Sequence, residues 1–276
     1  NTITADAGSD QLDLCANSAT LAGNNVGDGG EWLLTGGTGT VAVTSQFDSQ
    51  VTNLGLGENT FQWTVTKGIC SDSDEVILRN MTVTAEAGTD QTICVDDYTL
   101  DADNPAGTGT GQWTITGGSG NVTDNTLYNT TVTNLGQTTN TLRWRVTNGV
   151  CTAEDFVNIT NDRPDPAIAN DLTICGTTAV MEADPVTEGS GLWNREYGTG
   201  DIAASDLSLY NAQVTNIDPG ESQFKWTVTK GSCTDDVIIS ITSNLVTASA
   251  TASPSNTVCE PTVTLQGNNP ASQGAT

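Results

Sequence analysis

Seven cysteines and no histidine bound the chemistry open to this chain of 276 residues. Without His, the commonest general base, the usual activator of a Ser or Cys nucleophile and the commonest zinc ligand are all missing. No GxSxG, HExxH or P-loop pattern occurs, and carboxylate pairs such as Asp74–Glu75 and Asp235–Asp236 stand at turns and strand ends, where acids are favoured for local bonding and solvation. The sequence therefore predicts that the chain is not an enzyme. Cysteines can still pair with one another. One set, Cys15, Cys94, Cys175 and Cys259, and a second set, Cys70, Cys151 and Cys233, each recur at a period of roughly 81 residues. One pair per period points to disulfides formed in an oxidising compartment, the extracellular space or the cell surface.

Two other residue types recur with the cysteines. Acids stand at Asp10, Asp90 and Asp171, and again at Asp74, Asp155 and Asp236 just after the second cysteines. Hard oxygen donors at domain ends are calcium chemistry, and a bound ion there would stiffen a joint. No EF-hand or repeat-in-toxin loop is present, so calcium at these acids is the one cofactor candidate and no other is expected. Six tryptophans, Trp32, Trp63, Trp113, Trp144, Trp193 and Trp226, keep the same period. A Trp can stack on a sugar, but these have apolar neighbours two residues away, which assigns them to a core.

The elements that carry these residues read as strands. In "FQWTVT", Phe61, Trp63 and Val65 alternate with Gln62, Thr64 and Thr66, and the same alternation returns in "LRWRVT" and "FKWTVT". Each is followed by Lys-Gly or Asn-Gly, the chemistry of a tight hairpin into a last strand that begins at the second cysteine. A whole period yields about seven strands: "TITADA", a short strand ending at the first cysteine, "SATLAG", "EWLLT", one or two less regular strands, "FQWTVT" and "DEVILRN". Period and strand count predict an all-β fold, a tandem array of seven-stranded antiparallel β-sandwich domains stacked end to end. The two tryptophans of a unit are expected on facing sheets. The pairs Cys15–Cys70, Cys94–Cys151 and Cys175–Cys233 are expected, each stapling the rim of its own sandwich.

The repeats bound domains at 1–83, 84–164 and 165–246, with 247–276 opening a fourth. In that fourth unit the first Trp is due at about position 277, and Cys259 lacks its mate, due some 57 residues on, so the natural chain is expected to continue. Asn1 is neither an initiator Met nor the start of a signal peptide, which reads as a processed product or a window from a longer chain. Joints are short and strand-like ("MTVT") or stiffened by proline ("NDRPDPAIAN"). Neighbouring domains are thus expected to form a rod on the order of 100 Å.

Charge narrows the partners. Eight Lys and Arg against 33 Asp and Glu give a formal net charge of −25, spread through all the units. Such a surface repels nucleic acid and anionic membranes, and no apolar run is long enough for a membrane helix.

The segments "AGSDQLDLC" and "AGTDQTIC", the "GxW…GG" strand at Trp32 and Trp113, and "WTVTKGxC" or "WRVTNGVC" resemble the PKD-like or immunoglobulin-like repeats of giant secreted surface proteins of the Bacteroidota, the gliding-motility adhesins among them. The third unit departs most, with "NREYGTG" in place of "TITGGSG". The resemblance implies export, a very long parent chain and a role in adhesion, motility or a surface filament. Implied partners are further repeats of that chain, other copies in a homo-oligomeric fibre, and a surface or cell-envelope ligand. Three functions compete: a structural stalk, repeats that are themselves adhesive, and a spacer attached to a secreted hydrolase.

Overall fold

The computed structural model describes residues 3–27, 29–105, 107–248, 250–253 and 264–267. The first repeat folds as seven strands: β1 (Gln11–Leu14), β2 (Ala19–Thr20), β3 (Gly30–Gly36), β4 (Thr40–Val41), β5 (Gln50–Thr52), β6 (Gly57–Lys67) and β7 (Cys70–Asn80). One sheet has the order β1-β7-β6-β3 and the other β2-β5-β4. All pairings are antiparallel except β1 with β7, which run parallel. The second and third repeats reproduce both sheets in the same order, so the chain is a tandem array of immunoglobulin-like sandwiches. Two short strands of the fourth unit, Ala250–Ser253 and Thr264–Gly267, pair antiparallel. The chain divides into two compact units, residues 1–92 with 96–161, and residues 93–95 with 162–276.

The alternation in β6 decides the core. Phe61, Trp63 and Val65 are buried against Leu21, Val51 and Leu54 of the opposite sheet side. The expectation that the two tryptophans lie on facing sheets is corrected here: both belong to the same sheet. The antiparallel register of β3 and β6 sets Trp32 directly opposite Trp63, and residues directly opposite across a pair point to the same face. Their ring centroids lie 4.9 Å apart with planes tilted by 37°. Trp113–Trp144 and Trp193–Trp226 repeat this at 5.0 and 5.1 Å. All six are at most 2% exposed.

Room for the pair comes from the glycine two residues before the first Trp. A Cβ on Gly30 would lie 2.2 Å from Trp63 Cζ2, and on Gly111 or Gly191 it would lie 2.0 Å from Trp144 or Trp226 Cζ2. The G-x-W pattern is therefore a packing requirement. Buried amides complete the frame. Asn59 accepts from the Thr38 N–H (2.9 Å) and donates to the carbonyls of Gly55, Gly57 and Leu78, and Asn140 repeats these four bonds in the second repeat. In the third repeat Ser222 keeps only the accepting role, toward the Thr199 N–H.

Two turn types have sequence-legible causes. The Asn of each "VTN" (Asn53, Asn134, Asn216) is left-handed, with φ of 58°, 54° and 57°, a region Asn tolerates better than other residues with a Cβ. The β6–β7 hairpin has a two-residue loop, Gly68-Ile69, closed by the pair Lys67 and Cys70. Gly68 and its counterparts Gly149 and Gly231 have φ of 63°, 55° and 55°.

Gly111→Ala is expected to destabilise the chain by about 1–3 kcal/mol, because the added methyl overpacks Trp144. Gly176→Ala, whose methyl would meet nothing within 4 Å, should stay within about 0.5 kcal/mol of wild type. Urea unfolding followed by Trp fluorescence reads both.

Candidate functional site: disulfides between repeats and their carboxylate struts

The parallel pairing of β1 with β7 sets the two cysteines of one repeat apart. Leu14 is level with Asn80 at the far end of β7, so Cys15 lies beyond that end, while Cys70 opens the same strand. Ten strand residues separate the two levels, roughly 33 Å at about 3.3 Å per residue. A disulfide needs Cα atoms within about 7 Å. The expected pairs Cys15–Cys70, Cys94–Cys151 and Cys175–Cys233 are accordingly overturned.

Cys15 instead bonds Cys151, with Cα atoms 5.3 Å apart, and Cys94 bonds Cys233 at 5.5 Å. The first cysteine of a repeat thus joins the second cysteine of the next. Cys70 and Cys175 are free and exposed, and Cys259 lies outside the described residues. The bonded second cysteines, Cys151 and Cys233, are only 1% exposed.

Each bond sits in a recurring setting. The residue that follows the last strand donates its N–H to the carbonyl just before the first cysteine: Met81 to Leu14 (2.8 Å), Asp162 to Ile93 (2.9 Å) and Asn244 to Ile174 (2.8 Å). That clasped residue then covers the hairpin glycine of the repeat whose second cysteine is bonded. A Cβ on Gly149 would meet Met81 Cε, and one on Gly231 would meet Asp162 Oδ2. Asn148 Nδ2 also donates to the Met81 carbonyl (3.3 Å). Position 68 has nothing within 4 Å of such a Cβ, and Ile69 at that hairpin tip is fully exposed.

The acids named as calcium candidates, or their immediate neighbours, accept hydrogen bonds from the main chain in this geometry. Residues 3–7 of "TITADA" do not form the expected strand; residues 3–10 run beside β7 and are held by side chains. Asp72 Oδ2 accepts the Ala5 N–H and Asp74 Oδ2 the Ala7 N–H, both at 2.8 Å. Asp155 accepts from Ala87 (2.7 Å) in the second repeat, and Asp235 from Ala167 (2.9 Å) in the third. Asp236 is the neighbour of the residue that takes this role. From the other side, Asp10, Asp90 and Asp171 accept the N–H groups of Ile77, Asn158 and Ser240 at 2.7 to 2.9 Å. These carboxylates stand in for main-chain rungs where the leading segment has left the ladder. Among the described residues, no three His, Cys, Asp or Glu side chains converge as a metal site would require.

Asp90 and Asp165 are among the acids that hydrogen bonds hold down. Asp90 is held below the usual carboxylate range, first by the Asn158 backbone N–H and then by its side-chain amide. Asp165, in the proline-rich joint, is held down by the N–H groups of Glu188 and Thr187 and by the Thr187 hydroxyl.

A groove of about 700 Å³ lies on the second repeat between Asn104, Gln112, Tyr128 and Arg145. Arg145 is paired there with Glu154 at 3.4 Å. A groove of about 630 Å³ at the matching place in the first repeat offers Glu31, Leu33 and Thr64 instead. The two share a location and differ in chemistry.

No protein-family model matches the chain, and no curated protein matches it. Solved tandem immunoglobulin arrays match the chain at low identity. A three-domain fragment of titin is 12% identical, with 86% of this chain and 95% of that one covered and a TM-score of 0.40. Extracellular domains 3–5 of Drosophila OTK are 11% identical over 86% and 93% of the two chains, with a TM-score of 0.37. Immunoglobulin domains 1–5 of Sidekick-1 are 13% identical over 86% and 58%, at 0.33. The immunoglobulin-like assignment rests on the strand order of each repeat.

Replacing Cys15 and Cys151 together by Ser should cost about 4–5 kcal/mol in the chain-entropy account, since the bond closes a loop of well over 100 residues. Unfolding curves of the oxidised chain check this. Non-reducing peptide mapping should recover the Cys15 peptide joined to that of Cys151 and never to that of Cys70. The lowered acids give a pH signature. A carboxylate depressed by folding stabilises fully above its unfolded value near pH ~3.9, and that contribution disappears as pH falls through the folded value. Acidification below about pH 4 should lower the wild-type melting temperature more than that of Asp90→Asn, whose amide oxygen still accepts the Asn158 N–H without titrating.

Proposed function

We propose that this chain is a load-bearing segment of a large extracellular adhesin or surface appendage, a stalk that supplies reach and stiffness and carries out no catalysis. The observation that carries this reading is the placing of the disulfides: each links one repeat to the next, where a bond serving only fold stability would sit inside one domain. Disulfides themselves favour an oxidising, extracellular setting, and the net charge of −25 favours a surface that stays soluble and apart from its neighbours. The residue patterns resembling surface-protein repeats of the Bacteroidota agree with a stalk within a very long parent chain, whose partners are further repeats, other copies in a fibre and a surface ligand. Calcium bound at the joints, as a stiffener, is part of this proposal and is tested by adding it.

Adhesive repeats are the second reading. The groove of the second repeat favours it, because Tyr128, Arg145, Gln112 and Asn104 together offer an aromatic face and hydrogen-bonding groups to a glycan.

Small-angle scattering of the oxidised chain should give one extended particle with a maximum dimension on the order of 100 Å, insensitive to calcium unless the acids bind it. The Cys15→Ser/Cys94→Ser variant should broaden the distance distribution. Domains tumbling independently in the oxidised wild type would sink the stalk reading. Glycan binding that is lost in Tyr128→Ala would move the assignment to the adhesive one.

A further inference from the structure

Cys70 and Cys175 are the two cysteines of the described chain left outside the disulfides, and they are of opposite kind. Cys175 follows β1's counterpart Leu172–Ile174, as Cys15 and Cys94 follow theirs; Cys70 opens a last strand, as Cys151 and Cys233 do. Among the described residues the same bond is therefore closed twice and each of its halves is open once. The surroundings of the open halves are already in place. At Cys175 the clasp is formed, with the Asn244 N–H on the Ile174 carbonyl at 2.8 Å, as it is beside Cys15 and Cys94. At Cys70 the hairpin has the left-handed glycine that its bonded counterparts share. Its Gly68 is bare where Gly149 and Gly231 are covered by the clasped residues Met81 and Asp162. Cys70 is exposed where Cys151 and Cys233 are 1% exposed.

We propose that Cys70 and Cys175 are complementary coupling sites, each taking as its ligand the opposite cysteine of a further repeat of this same kind. Cys70 bonds a first cysteine and is buried by the clasped residue of that repeat; Cys175 bonds a second cysteine, whose hairpin glycine seats against Asn244. The coupling is independent of whether the array is a stalk or an adhesive surface. The chemistry is thiol–disulfide exchange with a low-molecular-weight disulfide such as oxidised glutathione. One cysteine thiolate attacks the small disulfide and expels a glutathione thiolate. The opposite cysteine thiolate then attacks the protein sulfur of that mixed disulfide and expels the second. Two electrons pass to the oxidant, whose two sulfur atoms leave as thiols carrying the protons of the two cysteines. The further repeat is supplied either by the same polypeptide or by a second copy.

Two measurements separate these sources. The protein isolated from its natural source, alkylated before digestion and mapped without reduction, should yield Cys70 joined to a first-type cysteine and Cys175 joined to a second-type cysteine. An unchanged polypeptide mass on reduction then assigns the partner to the same chain, and a lower mass assigns it to another copy. The recombinant chain carrying Cys259→Ser supplies the second arm, as Cys70→Ser and Cys175→Ser variants held in a glutathione redox buffer. Each alone should remain a monomer, and their mixture should give a dimer through Cys70–Cys175. In the chain retaining both thiols, that mixed bond should exceed either symmetrical bond by at least about tenfold if docking raises the local concentration; random pairing would give only a twofold excess. Intact Cys15–Cys151 and Cys94–Cys233 peptides confirm that the variants are folded. Free or glutathione-capped Cys70 and Cys175 in the natural protein, or bonds between cysteines of the same type there, overturn the proposal. If the natural protein is bonded as expected, an unmixed monomer in the recombinant arm assigns the coupling to the same polypeptide.

Discussion

The parallel pairing of β1 with β7 is the constraint from which the arrangement of the covalent bonds follows. It puts the first cysteine at the end where the chain leaves a repeat and the second at the end where the chain arrives. Neither can reach the other along an eleven-residue strand such as Cys70–Asn80, so each is available to a neighbour. The clasp from the residue after the last strand to the carbonyl before the first cysteine locks this end of the repeat. The glycine hairpin at the other end offers a surface without a Cβ, against which that clasped residue can lie.

Inside each sandwich the corresponding constraint is the Trp–Trp pair. Two indoles directly opposite on neighbouring strands occupy more width than an ordinary cross-strand pair. The glycine of G-x-W yields that width at the edge strand, and the opposite sheet closes over the rings with small and branched residues such as Val51 and Leu54. Trp32, Trp113 and Trp193 send their indole N–H groups to backbone carbonyls of the irregular segment between the sheets, at Gln46, Tyr128 and Leu209. The pair thereby pins a stretch that has little strand structure of its own.

Much of this was legible in the sequence because it depends on local periodicity. The alternation at Phe61, Trp63 and Val65 and the hairpin glycines follow from side-chain period and turn chemistry alone, whereas the expected seven strands included "TITADA", whose residues 3–7 form none. The disulfide pairing did not, since counting one pair per period says nothing about which end of a strand a cysteine occupies; the parallel β1–β7 register, a long-range property, decides it. The facing-sheet placement of the tryptophans failed for the same reason. The backbone bonds of Asp72, Asp74 and Asp155 were not legible, because they act on a segment some 67 or 68 residues away. Asn59 and Asn140 carried a weaker signal: both stand two residues before the first inward apolar residue of their strands, and aligning the repeats on Phe61 and Leu142 would have exposed them.

The two bonds overlap along the chain, since Cys94 lies inside the loop closed by Cys15 and Cys151, and Cys151 lies inside the loop closed by Cys94 and Cys233. Under tension this overlap acts as a limit on extensibility. If every strand between Cys15 and Cys233 were pulled apart, the shortest covalent route would cross to Cys151, run back to Cys94 and cross again to Cys233. Only the residues between Cys94 and Cys151 would then bear load, a contour of ~200 Å where the unbonded chain would pay out ~750 Å, at about 3.4 Å per residue. The segment so loaded would be drawn against the direction of pull, like the return leg of a folded strap.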